Sequence, residues 1–226
     1  KPELYSRIFA EKGGIFDKFS YKGNGYDHGN QILRDSKNIK IYLRFLQDIA
    51  FKMFDESKLY LPRRDEEIPK LTFQGAEVSV LEFPIKHLFD NTISNIEFVH
   101  KSIYEYFVAE YIIQSISNLM DLNDYKEKIA CFFGKELLLH EKISSEILEF
   151  IRYKIRNNTL NDRYDKIAEA FQLMLKDGML YYTNVCYKNV VECELTVFEK
   201  MLDVLHLWGK KSYKFNDIIC SYIRYN

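Results

Sequence analysis

The stretch that decides the fold is Phe98-Val-His-Lys-Ser-Ile-Tyr-Glu-Tyr-Phe-Val-Ala-Glu-Tyr111. Just before it, Asp90-Asn91 is turn-like, and Ile96, Glu97, Phe98 and Val99 predict a short strand. The following residues predict a helix over 101–115. The strand therefore gives way to a helix at His100.

His100 is the candidate binding residue. Ile96, Phe98 and His100 are spaced two residues apart, so on a continuous strand their side chains would share one face. A helix N-terminus has unpaired N–H groups and a partial positive charge, which favour an anion nearby. A neutral imidazole there can donate a ring N–H to a phosphate oxygen. The alternative is a structural histidine that joins strand to helix.

The rest of the stretch is explained by helix formation. Ser102 as the N-cap and Glu105 three residues later predict a capping box. Tyr106, Phe107 and Tyr111 are aromatic residues on the same helix and are expected in the core.

Upstream, the pattern becomes helical from Asn38. Apolar residues at three- and four-residue spacing predict one apolar face: Ile41, Phe45, Leu46, Ile49, Met53 and Phe54. Pro62 and Pro69 are expected to frame an exposed loop. Short helices are predicted over Leu71–Gln74 or Val78–Phe83, and over Pro84–Phe89, where Pro84 suits a first turn.

Residues 1–37 are interpreted as a glycine-rich connector, because five of the nine glycines lie before residue 30. A short helix over Glu3–Glu11 is expected within it. In the segment Gly13-Gly14-Ile-Phe-Asp-Lys18-Phe-Ser20 no second glycine stands directly before the lysine, so it does not match a phosphate-binding P-loop.

The C-terminal half has three amphipathic helical stripes. The residues of these stripes are Ile147, Leu148, Ile151 and Ile155; Tyr164, Ile167, Ala168, Phe171, Met174 and Leu175; and Val197, Phe198, Met201, Val204, Leu205 and Trp208. Gly178 and Gly209 are the expected ends of the second and third helices. Such helices bury their apolar faces only against one another or another module, which predicts a bundle.

Composition narrows the function classes. The 226 residues are 47% hydrophobic, and the 32 basic residues balance 33 acidic ones. This charge gives no general attraction to nucleic acid or to an anionic membrane. No apolar run reaches the ~18–20 residues of a membrane span. The four cysteines form no CxxC pair, which favours free thiols in a reducing cytoplasm.

Other reactive residues form no recognisable site. His140 beside Glu141, and His206 on an apolar helix, are interpreted as structural. A basic patch of Arg152, Lys154, Arg156 and Arg163 is diluted by nearby carboxylates. The sequence shows no recognisable spacing of a catalytic triad, of paired catalytic carboxylates or of metal ligands.

The stretch 98–111 resembles the pattern Phe-x-His-x-Ser/Thr-x-x-Glu-Phe/Tyr-Phe-x-Ala-x-Tyr of NACHT-type STAND ATPases. Ile103 and Tyr104 depart from it, since the family often has Phe-Gln before the glutamate. Leu43–Asp55 looks like the helix that opens the winged-helix module of that family. Phe171–Met179 and Phe198–Trp208 are similar to the helical region of bacterial NACHT proteins that carry pentapeptide repeats.

The resemblance implies a mainly α fold: a winged-helix-like module with a small β element over residues 38–118, then a helical domain over 119–226. In that family the histidine, here His100, contacts the β-phosphate of ADP. The chain would be a regulatory part of a bacterial signal-transduction ATPase. It would sense ADP or ATP, which the parent binds with Mg²⁺, and relay that state to a sensor or effector region.

The resemblance also implies the partners. These are the nucleotide-binding core of the same protein and, through the helical domain, further proteins in the cytoplasm. The chain itself is expected to have no catalytic activity and no cofactor or metal of its own, because it lacks a P-loop and a Mg²⁺-binding motif. Two alternatives stay open: a winged-helix regulator that binds DNA, and a stand-alone helical protein-interaction module.

Overall fold

A computed structural model describes residues 1–16, 36–62, 71–73, 76–78, 89–90, 95–137, 143–157, 164–178, 181 and 190–207. The fold is mainly α with a small amount of β structure, which confirms the predicted class. The chain separates into two compact units, Lys1–Tyr111 and Ile112–Asn226. The division falls within one long helix.

In the first unit, helix α1 spans Pro2–Ile8 and helix α2 spans Ser36–Asp55. The predicted apolar face of α2 is buried except for Ile41, which is exposed. At 100° per residue, Ile41 lies roughly 140° around the helix from Leu46, at the centre of the buried face. The expectation for Ile41 was therefore wrong.

A three-stranded antiparallel sheet follows α2. Its order is β1-β5-β4, with β1 at Tyr60–Pro62, β4 at Phe89–Asp90 and β5 at Asn95–Phe98. Leu61 is paired with Ile96, and both are buried. The predicted strand before His100 is therefore confirmed as the central strand, and it ends one residue earlier than expected.

A second antiparallel pair replaces a predicted helix. Strand β2 spans Leu71–Phe73 and strand β3 spans Ala76–Val78, with Phe73 opposite Ala76. The helix predictions at Leu71–Gln74 and at the start of Val78–Phe83 were wrong, because a two-residue connection that contains Gly75 favours a hairpin. Of the helix predicted over Pro84–Phe89, only Phe89 is described, and it lies in a strand. Pro62 ends β1, and the loop predicted beyond it lies outside the described residues.

Helix α3 spans Lys101–Met120, five residues beyond the predicted end at 115. Its first turns pack against aromatic side chains from α1 and the turn after it. The Phe9 ring lies 5.3 Å from Tyr106 and 4.9 Å from Phe107, and it also lies 6.0 Å from Phe16. Phe9 and Phe16 thus belong to the packed core of the first unit, although residues 1–37 were expected to be a connector.

Helix α2 contacts α3 at Tyr111, the last residue of the first unit. The Phe51 and Tyr111 rings stack with centroids 3.9 Å apart, and the Arg44 guanidinium lies 4.7 Å above Tyr111. Arg44 also forms an ion pair with Asp48 at 3.1 Å. Burial raises the pKa of Asp48, and the charge of Arg44 partly opposes that rise.

The described residues of the second unit include the end of α3 and five further helical segments. These are α4 (Tyr125–Phe132), a π-helix (Phe133–Leu137), α5 (Ser145–Asn157), α6 (Tyr164–Asp177) and α7 (Val190–Leu207). The three predicted stripes lie on α5, α6 and α7, apart from Trp208, which lies outside the described residues. Gly178 has φ +92°, which confirms it as the left-handed residue that ends α6. The predicted end of α7 at Gly209 lies outside the described residues.

A polar cluster joins α4 to α6. The Tyr125 hydroxyl donates to the Glu169 carboxylate, and Lys126 lies 3.3 Å from the same carboxylate. Lys166 lies 4.8 Å from the Tyr125 ring centre and donates to the carbonyl of Met120, the last residue of α3. A lysine that binds a C-terminal carbonyl stabilises the helix end.

Among the helices in the described ranges, none combines the length and the apolar character needed to cross a membrane.

Gly14 should not accept a side chain. A Cβ atom at this position would lie 2.1 Å from the Ala10 carbonyl oxygen, which belongs to the backbone. We expect Gly14→Ala to lower the free energy of unfolding by about 1–3 kcal/mol. Gly13→Asn is the control, since Gly13 has φ +73° and open space around it, and asparagine tolerates that conformation. Equal urea midpoints for the two variants would contradict the expectation.

The Tyr125–Glu169 bond should weaken in alkali. The hydrogen bond to Glu169, then burial and the charge of Glu169, raise the pKa of Tyr125 from 10.0 to about 12. Because the folded value is the higher one, the bond's stabilisation is complete below about pH 10 and is lost as the pH rises towards 12. The urea midpoint of the native chain should exceed that of Tyr125→Phe at pH 8, and the difference should shrink at pH 11. A midpoint difference between the native chain and Tyr125→Phe that is the same at pH 8 and pH 11 would contradict this expectation. Tyr60→Phe is the control, because it removes the hydroxyl of an exposed tyrosine.

Candidate functional site

His100 lies on an exposed junction between β5 and α3. The last strand residue, Phe98, is buried and packs against Tyr104 and Phe107 with ring centroids 6.3 Å and 6.0 Å away. The next two residues, Val99 and His100, are exposed. The expectation that His100 continues the face of Ile96 and Phe98 was wrong, because the strand ends at Phe98 and its alternation ends there too.

The backbone of His100 starts the helix. Its carbonyl oxygen accepts the N–H groups of Ile103 at 2.9 Å and Tyr104 at 3.4 Å. His100 therefore occupies the N-cap position, and Lys101 is the first helical residue.

The predicted capping box is wrong in its register. Because the helix begins at Lys101, Ser102 is its second residue instead of its cap. The Ser102 hydroxyl is hydrogen bonded to the Tyr5 hydroxyl on α1, with 2.6 Å between the oxygens. Glu105 is buried, with 3% of its surface exposed, and lies 3.6 Å from the Lys101 ammonium group.

The electrostatics of the junction suit an anion. The first N–H groups of a helix have no intrahelical acceptor, and they leave a partial positive charge at this end of α3. Lys101 adds a full positive charge on a side chain that is 64% exposed. The exposed imidazole of His100 can donate one ring N–H beside them. The arrangement can bind a phosphate or carboxylate group by hydrogen bonds and charge.

Tyr104 adds no ionised group to the junction near neutral pH. Burial, and then the charge of Glu105, raise the pKa of its hydroxyl to about 12. The hydroxyl is therefore protonated at physiological pH.

The other residues of the resemblance are explained by packing. Tyr106, Phe107 and Ala109 are buried, and Tyr111 is half-buried under Arg44 and against Phe51. Each therefore has a role in the core of the first unit. His100 differs from them, because its side chain is exposed at the end of the helix.

Among the described residues, the other candidates form no metal-binding group. His206 is exposed in the last turn of α7, and His140, Glu141 and Arg163 lie outside the described ranges. Of the basic patch, Arg152 and Lys154 are half-buried and Arg156 is exposed on α5. Cys131 is a free thiol. Within the part of the chain that the structure describes, no three His, Cys, Asp or Glu residues are grouped to hold a metal ion.

Sequence reasoning missed Tyr5 as a neighbour of this site. The Tyr5–Ser102 bond joins residues that are 97 positions apart. The sequence signal was a pair of aromatic residues four positions apart near the N-terminus, Tyr5 and Phe9, which predicts a packed face without identifying its partner.

Comparisons of this chain with protein-family models, with curated proteins and with solved structures found no match.

The exposed imidazole should contribute little to stability, unlike its buried neighbours. We expect His100→Ala to change the free energy of unfolding by less than about 0.5 kcal/mol, as for most surface positions. Phe107 is 1% exposed, and Phe107→Ala should cost about 3–5 kcal/mol. Urea unfolding followed by circular dichroism measures both. A loss above about 2 kcal/mol for His100→Ala would assign the imidazole a structural role.

Proposed function

We propose that this chain is a regulatory part of a NACHT-type STAND ATPase and that residues 38–118 act as its winged-helix module. In this proposal His100 binds the β-phosphate of ADP held by the nucleotide-binding core of the same protein. The chain reads the nucleotide state and does not hydrolyse ATP. The helical residues after 118 pass that state to a sensor or effector region.

The observation that carries the proposal is the exposure of His100 at the N-cap of α3. A residue that must reach a ligand on another domain needs an accessible side chain. Within the resembling stretch, the buried members have packing roles, which leaves the imidazole available for an intermolecular or interdomain contact. The dipole of α3 and the charge of Lys101 lower the energy of a phosphate beside it.

In this proposal His100 only binds a phosphate group and takes no part in a reaction. One ring N–H donates to a phosphate oxygen, and the N-terminal N–H groups of α3 add partial positive charge. Loss of this contact when ATP replaces ADP would change the relative stability of a closed and an open state. A ligand shifts such an equilibrium only by its difference in affinity for the two states. His100 would supply part of that difference for ADP.

The DNA-binding alternative has less support. A recognition helix offers an exposed, polar or basic face to the major groove. Helix α3 is buried at every position from Tyr104 to Ala109, so its first turns are occupied by packing within the unit. A salt-dependent gel shift with duplex DNA remains the direct test of that alternative.

The proposal is tested by ADP retention in the intact ATPase. A hydrogen bond to a charged group contributes about 1.5–3 kcal/mol, so His100→Ala should release bound ADP about 10- to 100-fold faster and raise basal activity. His100→Gln keeps an N–H donor and should retain part of the affinity. His206→Ala is the matched control, since it removes an exposed histidine from the second unit.

The measurement is the dissociation rate of a fluorescent ADP analogue, with basal signalling output as the second readout. Unchanged retention and unchanged basal output in His100→Ala would refute the proposed role.

A further inference from the structure

The junction at His100 is held from one side by α1. The Tyr5 hydroxyl and the Ser102 hydroxyl are 2.6 Å apart, and the Tyr5 ring lies 5.8 Å from Tyr106, one turn further along α3. Phe9, just after α1, stacks on Tyr106 at 5.3 Å. These contacts fix α1 along the side of α3 that carries Ser102 and Tyr106.

The hydrogen bond acts on the turn that carries His100. Ser102 is the second residue of α3, and the first turn of a helix is where fraying begins. That turn is closed by the His100 carbonyl, which accepts the N–H groups of Ile103 and Tyr104. A contact that holds Ser102 therefore restrains the backbone from which the imidazole projects.

Helix α1 depends on these contacts. It has seven residues, fewer than an isolated helix needs to be stable in water. Its ion pair between Glu3 and Arg7 joins two exposed side chains and adds little. Leu4, 59% exposed, faces solvent. Packing against α3 is thus the main source of stability for α1.

Docking of α1 also carries a cost at Ser6. The Ser6 hydroxyl oxygen is buried and has no hydrogen-bond partner among the described residues. Burial of a polar group without a partner opposes docking. The position of α1 therefore reflects a favourable bond at Tyr5 and an unfavourable burial at Ser6.

We propose that Tyr5 is a positioning residue for His100: the Tyr5–Ser102 hydrogen bond holds the first turn of α3 and with it the imidazole at the N-cap. The role of that imidazole in ADP binding rests on the proposed function. The restraint on the turn does not, and it is measured separately.

The first test is amide hydrogen exchange in the 226-residue chain. Tyr5→Phe keeps the ring and removes the hydroxyl, so exchange at Ile103 and Tyr104 should become about 3- to 10-fold faster. Ser102→Ala should have the same effect, and Ser102→Thr, which keeps a hydroxyl, should restore slow exchange. Ser6→Ala removes the buried hydroxyl and should slow exchange at the same two amides. Tyr60→Phe, in the same unit, should leave it unchanged.

The second test follows the imidazole itself. The NMR resonances of the His100 ring should broaden or shift in Tyr5→Phe and Ser102→Ala, with no further change in the double variant. In the intact ATPase, whose core holds the ADP, Tyr5→Phe should release bound ADP about 3-fold or more faster than the native protein.

The outcomes separate the two proposals. Native exchange rates at Ile103 and Tyr104 in Tyr5→Phe, or an unchanged His100 spectrum in that variant, would overturn the positioning role. Unchanged ADP release in His100→Ala of the intact ATPase, together with faster exchange in Tyr5→Phe, would count against the nucleotide role while supporting the restraint by Tyr5.

Discussion

Six consecutive buried residues on α3, Tyr104 to Ala109, determine the arrangement of the first unit. Six residues cover roughly one and two-thirds turns of a helix, so buried positions occur on every side. Such a helix needs neighbours all around it. Strand β5 packs Phe98 against α3. Tyr5 of α1 and Phe9 just after it contact α3 from the N-terminal segment. Further along α3, Phe51 of α2 stacks on Tyr111. The sheet and both helices are therefore arranged around one central helix.

Glu105 is the exception within this buried run, because it places a carboxylate in an otherwise apolar and aromatic environment. Burial of a charge is costly unless it is paired, and Lys101 lies one turn away with its ammonium group at 3.6 Å. Since Lys101 is the first residue of α3, this ion pair also connects the buried Glu105 to the exposed N-terminal end of the helix. Among the described residues, the most deeply buried carboxyl group is thus paired with the lysine that directly follows His100.

The periodic parts of the fold were predictable from sequence. Helices α2, α5 and α6 each have one apolar stripe, and Gly178 supplies the left-handed residue that ends α6. The pair β2–β3 was predicted wrongly because segments of three residues are too short for a helical or strand period to appear. The Gln74-Gly75 pair between them was the available signal for a hairpin. The capping box failed because sequence spacing does not determine which residue is the first to adopt helical geometry.

The position of His100 where strand meets helix was predictable from sequence, but its surroundings were not. The junction of strand and helix singled out His100, whereas its exposure depends on where β5 ends, and its orientation depends on Tyr5, far away in sequence. Both features follow from the packing of α3. Phe98 is the last strand residue and packs its ring against Phe107, whereas the two residues between it and the helix, Val99 and His100, are exposed. The same burial that explains the aromatic residues of the stretch therefore leaves the imidazole in solvent, where a phosphate group can reach it.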